Sequence, residues 1–465
     1  MRNPSRKHST FPRIAISAST GLALMVALAA CAPGSGGSGA VSTGGPVSTK
    51  FDTSKPVTIT VDDGWGTTGS GATFATVIKN FEKKYPNVTV NRLTTDYNSY
   101  ASSINLKVAS NNPPDVLMLE TAGYGQGFYN FVKAGDLLPL DAYAKAYNWN
   151  ARFGGSSKLD VFKVDKSKDD LWGSGSLYGL PEQSSMIGVF YNKKLMEQSG
   201  VTSIPTTFTE FESSLAAAKS TGIVGIEESS TYIHTEMALW DSFSTSAASV
   251  NSWIYGASGS FEAPANVKAA QTIQDWQSAG YFEPGASGES DSDAASAFFA
   301  GKSMYYIEGS WNAGGADTAF GANGGVFQLP SVSPQSPVGG GPSTPLVISA
   351  KSKHQAVDAA FLNYFVSAEN TDYLFTHGWG APGALVSPGT KATGPTSQTV
   401  LDDITKINSA TGPGTTPFLD WASPSFGTEL PSALQSMASG KTTPAAYASS
   451  IQSGWITFQK QRKSS

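Results

Sequence analysis

A single cysteine, Cys31, denies this chain any intramolecular disulfide and any thiolate-bound zinc. Histidine is nearly as scarce, and His8, His234, His354 and His377 show no metal-binding spacing. Basic charge is also short, with 31 Lys and Arg against 36 Asp and Glu. The chain therefore has no positive stripe to neutralise phosphates, which excludes nucleic-acid partners. No G-x-S-x-G nucleophile elbow occurs. Glu289, Asp291 and Asp293 alternate as in a calcium loop, yet the sixth position is Ala294 rather than glycine and the twelfth Ala300 rather than glutamate. That stretch reads instead as a helix start, with Ser292 or Asp293 as N-cap. Asp62 and Asp63 are adjacent, so a strand points them to opposite faces and they form no catalytic pair. No repeat of solenoid period is present.

What the chain does have begins with Arg2, Arg6, Lys7 and Arg13, followed by the uncharged run Ile14 to Ala30. A basic start, a short apolar run and small residues before a cleavage point describe an export signal over 1–30, and the run is short for a membrane span. Leu28-Ala-Ala-Cys31 resembles the lipobox of bacterial lipoproteins, which implies a lipidated Cys31 anchored by several acyl chains at about 0.8 kcal/mol per buried CH2. Residues 31–55 then read as a Gly/Ser-rich tether that lets a folded body sit about 25 Å from the membrane. Loss of the signal removes four basic residues, leaving 27 against 36 acidic and a formal charge of −9. The remaining length, about 400 residues, suffices for two sizeable cores.

Periodicity organises the body. Val57 to Val61 alternates as a strand, and Phe74, Val77, Ile78, Phe81 and Tyr85 form a helix face that Pro86 ends. Asn87 to Val90 is a second strand, Tyr100, Ile104 and Val108 mark a second helix, and Val116 to Leu119 reads as a strand buried on both faces. This alternation predicts an α/β fold with a parallel sheet. Further on, Met186 to Tyr191 reads as a strand and Lys193 to Ser199 as a helix closed by Gly200; longer helices are expected over 209–220, 231–245, 263–279 and 292–300. Lys163 to Asp170 reads as a charged surface turn. Pro330 to Pro345 contains no periodic element and reads as a crossover, followed by a strand at Leu346 to Ser349 and a helix at Lys353 to Val366.

Between the first strand and first helix, Gly64-Trp-Gly66-Thr-Thr-Gly69 spells G-x-G-x-x-G. A dinucleotide site needs an acid at the end of the second strand, and here Asn91 and Arg92 stand in its place. No cofactor is expected. The glycines serve a tight turn, which makes Asp62, Asp63 and Trp65 the informative residues.

Five ordered segments carry a family resemblance. They are Phe81 to Val90; Pro114-Asp-Val116 with Gly135 to Asp141; Leu177 to Pro181 with Phe190 to Leu195 and Gly200; Phe298 to Met304 with Gly309-Ser-Trp311; and Gly440 to Tyr447. Together they resemble the extracellular solute-binding proteins of ATP-driven importers, in the carbohydrate-binding branch related to maltose-binding protein. The resemblance implies a two-lobed, periplasmic-binding-protein-like α/β fold of the second type, each lobe a mostly parallel sheet flanked by helices, hinged around an interlobe cleft. One lobe is expected over 56–160 with 338–400, the other over 161–337 with 401–465. It also implies a monomer that delivers a sugar or oligosaccharide to a membrane permease of an ABC transporter at the outer face of the cell membrane, without catalysis.

A sugar offers hydroxyls at its rim and C–H faces above its ring, so its site needs stacking aromatics and fixed carboxylates or amides. Residues just beyond strand ends in α/β sheets are the candidates. They are Asp62, Asp63 and Trp65, then Glu120 and Tyr124, and Glu182, Gln183 and Ser184. By resemblance, Trp311 at the end of its Gly-x-Trp segment is the first stacking platform, with core packing as the alternative; Glu308 beside it reads as a hydrogen-bonding partner or a solvated turn, and Trp379 and Trp421 as further rings or as packing residues. Tyr232, His234 and Trp240 mark a helix that either faces the cleft or packs in the core. A secreted carbohydrate-active hydrolase, or the same fold holding a polyamine or other non-sugar solute, are the alternative readings.

Overall fold

A computed structural model describes residues 47–119, 127–153, 157–165, 173–409 and 411–464. Cys31, the leader and most of the tether lie outside these residues, as do Glu120 and Tyr124. The body is built on one mixed sheet with seven strands in its main order. At one end Val88–Thr94, Val57–Asp63 and Val116–Met118 run parallel. Two long strands follow, Val338–Ile348 and Leu180–Asn192, antiparallel to each other. Beyond them Ser303–Gly309 pairs antiparallel with Leu180–Asn192 and parallel with Val224–Glu227.

The long strands run between separate buried cores. Leu180, Leu346, Val347 and Ile348 belong to a first core with Phe74, Phe81, Val116 and Trp379. Seven and nine residues beyond Leu180, Ile187 and Val189 belong to a second, with Phe211, Trp240, Trp253, Tyr305 and Phe426. Met186 and Phe190 join a third, smaller cluster with Phe298, Tyr306 and Ile404.

Local chemistry explains the flanking elements. The helix Ser70–Lys84 buries Phe74, Val77, Ile78 and Phe81 and stops at Tyr85, before Pro86. Each large apolar side chain buried this way contributes about 1.5–3 kcal/mol. The helix Phe208–Ser220 starts on a Thr207/Glu210 capping box, and Asn192 caps Lys193–Gln198 by accepting from Lys194 and Leu195.

Two sequence expectations need correction. The N-cap of Asp291–Phe299 is Ser290, not Ser292 or Asp293; its hydroxyl accepts from Asp293 N at 3.2 Å, which puts Asp291 and Asp293 in the first turn at the positive end of the helix. The stretch expected to hold no regular element becomes, from Val338, one of the two long strands. Its glycines hid it, because they have no side chains to alternate. They are there for clearance: a Cβ on Gly339 would lie 2.6 Å from Met237, and one on Gly340, at φ +125°, 2.5 Å from the Ser185 carbonyl. The charged stretch beginning at Lys163 opens as a short strand, Lys163–Val164, and the rest of its charge run falls outside the described residues.

Candidate functional site

The glycine loop after the first strand is held from beneath. Gly66 and Gly69 take positive φ, and a Cβ on Gly71 would sit 2.1 Å from the Gly66 carbonyl oxygen. Arg92 fastens this turn: Nε and Nη2 grip Asp63 at 2.6 and 2.7 Å, while Nη2 and Nη1 donate to the carbonyls of Gly66 and Gly71. Its guanidinium also lies over the Phe74 ring at 5.1 Å. Asp63 accepts in addition from Thr94 Oγ1 and from the backbone of Trp65. On the other strand face, Lys107 pairs with Asp62 at 2.8 Å. Burial raises the Asp62 carboxyl and Lys107 counters it. Both aspartates, expected as ligand contacts, thus commit oxygens inside the protein: Asp63 holds the loop that presents Trp65, and Asp62 ties its strand to the helix Tyr97–Ala109 through Lys107.

Trp65 is fixed at three points. Its backbone N–H bonds Asp63, its indole Nε1 donates to Glu182 Oε2 at 2.9 Å, and its ring meets Trp379 at a centroid distance of 4.8 Å. Trp379 itself is 1% exposed, packed on Phe74 and Phe365, with its Nε1 directed at the Glu182 carbonyl. It backs Trp65 and presents no face of its own. Gln183 donates to the Trp379 carbonyl at 3.2 Å, tying the long strand to the same loop.

A second cluster forms where Ser303–Gly309 ends. Ser310 Oγ accepts from Met186 N at 3.1 Å, and the Trp311 indole folds over Gly309, where any Cβ would collide with it at 2.1 Å. Trp311 keeps 41% of its surface exposed. The His234 ring meets it edge-on at 5.4 Å, and Phe418 lies 6.0 Å away. His234 stands at the start of the helix Ile233–Phe243 and bonds Glu308 through Nδ1. Burial alone would lower the imidazole, but the charge and hydrogen bond of Glu308, aided by Asp291 and Glu228, raise it to about 9. It is an imidazolium at neutral pH, and among the described residues its Nε2 has no partner. Behind it Glu228 is buried and raised to about 8, accepting from Ser229 N and Thr235 Oγ1. Trp421 is buried in the second core, 6.2 Å from Phe418, and backs this cluster as Trp379 backs the other.

The long strand joins the clusters. Glu182 touches Trp65 and Met186 touches Ser310, four residues apart, or about 13 Å at the ~3.3 Å rise of a strand. Between them lies Ser184, buried, with a hydroxyl that has no partner among the described residues. Thr344 on the neighbouring strand repeats this, and is held at a positive φ of 46°. Backbone strain of this kind costs about 1–3 kcal/mol and marks positions the surroundings over-determine. Polar groups along a floor with an aromatic ring at each end can hold a flat, hydroxyl-rich molecule. The sequence reading named Trp65, Glu182, Ser184, Glu308 and Trp311; it passed over Phe418, left His234 undecided, and used Arg92 only to discount a nucleotide.

Several buried acids set a pH dependence of stability. Burial raises Glu236 to about 8 even though Tyr447 donates to it at 2.7 Å, and raises Asp241 to about 7. A carboxyl raised on folding binds more protons in the folded than in the unfolded chain between its two pKa values, and so does His234 between its ordinary 6.5 and about 9. Stability should therefore fall as pH rises from about 5 to about 9. Melting temperatures across that range should decline, and Glu236→Gln should flatten the slope; a rise with pH would contradict the assignment. Among the described residues no cluster could hold a metal ion, and no helix is long and apolar enough to cross a membrane.

Comparison with known proteins places this geometry. Residues 64–372 match the family model described as bacterial extracellular solute-binding protein. A binding protein of Brucella abortus (strain 2308) is 25% identical over 239 residues, 50% of this chain and 53% of that relative, so the chain spans about half the length of the curated relatives it matches. Among solved structures, a chitin oligosaccharide binding protein superposes with a TM-score of 0.73 at 22% identity, covering 87% of this chain and 99% of that one. The binding protein RafE in complex with raffinose gives 0.68 at 18%, with 87% and 100% covered. These likenesses show the two-lobed fold.

Proposed function

The chain belongs to the family of bacterial extracellular solute-binding proteins, and from that premise we propose that it captures a sugar or oligosaccharide in an interlobe cleft and delivers it to an ABC permease. The lobes comprise 56–160 with 338–400 and 161–337 with 401–465, joined through the long strands. The observation that carries the reading is Trp311, 41% exposed and braced by the His234–Glu308 pair, whose neighbour Ser310 bonds Met186, four strand residues from the Glu182 that holds Trp65. Trp65 and Trp311 stack on sugar faces, and Glu182, Gln183, Ser184 and Glu308 bond hydroxyls. Glu120 and Tyr124, just past the strand Val116–Met118, add contacts. Asp63 holds the loop and Asp62 pairs with Lys107, while Trp379 and Trp421 back the exposed rings. The chitin oligosaccharide and raffinose proteins of the same fold support the ligand class.

Ligand contacts from both lobes favour the closed state by its differential affinity, and the closed monomer docks on the permease. Lipid on Cys31 keeps the protein at the outer membrane face, within reach of that permease. No cofactor enters and no bond is broken. A thermal-shift panel of mono- and oligosaccharides tests this: ligand at a hundred times its Kd should add about 2.7 kcal/mol. Absence of any shift would sink the sugar reading, and release of cleaved product would replace binding with hydrolysis.

A further inference from the structure

A cavity of about 270 Å³ shares no lining residue with the proposed carbohydrate site. It lies at the far end of the helix Ile233–Phe243, where Asp241 stands seven residues, or about 10 Å, beyond His234. Both long strands reach it, through Gly188 and Gly339, and the helix Pro395–Ile407 adds Asp403 and Lys406.

Its walls are pinned in place. Ser242 Oγ donates to the Pro330 carbonyl at 2.6 Å, Val332 N to the Ser242 carbonyl at 2.9 Å, and Ser336 Oγ to the Ser244 carbonyl at 2.6 Å. The connector that lines the cavity is thus fixed to the helix end, so the space is preformed. A cavity of about 150 Å³ already admits benzene, so this one admits a substituted six-membered ring.

Its polarity is specific. Asp241 is 2% exposed, and Thr416 Oγ1 donates to its Oδ2 at 2.7 Å. Its Oδ1 has no partner among the described residues. A buried oxygen without a donor costs about 1–3 kcal/mol, a cost that a ligand's N–H removes. With both carboxyls ionised, Asp241 and Asp403 against Lys406 leave one negative charge in excess, and Ala238, Leu329 and Val338 supply apolar wall. We propose that this cavity is a second ligand site for a small primary ammonium compound with an apolar body, its N–H donors directed to Asp241 Oδ1 and its skeleton against Ala238, Leu329 and Val338. The site is independent of the carbohydrate reading, and an occupant touches both long strands at once.

The test uses the full-length protein with cyclohexylammonium chloride, cyclohexanol as the uncharged match in shape, and sodium chloride at equal ionic strength. The buffer is held above the pKa of about 7 that burial gives Asp241, so that its carboxylate is charged. The ammonium probe should raise the melting temperature saturably, whereas cyclohexanol and salt should not. Asp241→Asn should weaken the response about tenfold or more, as expected for a bond to a charged group. Asp403→Asn should weaken it several-fold, and carries the test if the first variant does not fold. Trp311→Ala should leave it unchanged. The proposal is overturned by no saturable response, by equal responses to amine and alcohol, by an unaltered response in the aspartate variants, or by loss in Trp311→Ala, which would place the amine in the carbohydrate cleft.

Discussion

Trp311→Ala is expected to abolish most ligand-induced stabilisation while leaving the unliganded melting temperature within about 1 °C of the parent. The ring is 41% exposed and stands outside the buried cores, so its truncation leaves no cavity behind. Stacking by an aromatic ring contributes about 0.5–1.5 kcal/mol beyond the area it buries, and that area adds more at about 25 cal/mol per Å². The combined loss corresponds to a fall in sugar affinity of about two orders of magnitude, read by calorimetry. The two readouts separate a ligand platform from a packing residue: unchanged stability with lost affinity supports the platform. Unfolding of the apo protein would make Trp311 structural and remove the main support for the proposed function.

Arg92→Ala is expected to have the largest effect on the fold, a loss of about 3–5 kcal/mol in urea unfolding. Asp63 is fully buried, and removing the cation that grips both its oxygens leaves an uncompensated buried charge. The Gly66 and Gly71 carbonyls lose their donor at the same time. Arg92→Lys should recover only part of this, because an ammonium cannot reproduce the planar fork that reaches carboxylate and carbonyls together. In that milder variant Trp65 should be less firmly seated, so sugar affinity should drop as well. A variant as stable as the parent would mean that Asp63 finds another partner or accepts a proton, and the clamp would be refuted.

The sequence made the first half of the fold legible because its signals are local. Val57 to Val61 alternates, Phe74 to Phe81 lines one helix face, and Pro86 ends the helix where the structure ends it. The strand Val338–Ile348 was legible only at its end, from Leu346, and its first part was hidden for a physical reason: its glycines make room for Met237 and for the neighbouring backbone, so the contacts that require a strand there are tertiary. The N-cap at Ser290 shows the usual difficulty of boundaries, since the four hydroxyl or acid residues Ser290 to Asp293 stand in a row and each could have capped the helix.

The site divides in the same way. Trp311 could be named as a candidate because Gly309-Ser-Trp311 resembles the family segment whose aromatic residue stacks on sugar. Arg92 could not, because its meaning comes from register: Val61 lies opposite Arg92 and Asp63 opposite Thr94, which brings the guanidinium diagonally across to Asp63. Phe418 joins Trp311 from more than a hundred residues away, in a stretch with no periodicity of its own. Burial, too, had to come from the fold. Trp379 and Trp421 look no different from Trp65 and Trp311 as letters, yet the first two are enclosed by their cores.

That sorting of indoles by depth has an optical consequence. Trp149, Trp240, Trp253, Trp276, Trp379, Trp421 and Trp455 are buried, and Trp65 is partly covered by Trp379, whereas the Trp311 ring is open to solvent. A collisional quencher dissolved in the buffer therefore reaches one indole in the described body far more readily than the rest. Among the described tryptophans the quenchable fraction of the emission comes mainly from the ring that the proposed sugar would cover, so Trp311 serves as a built-in label for occupancy.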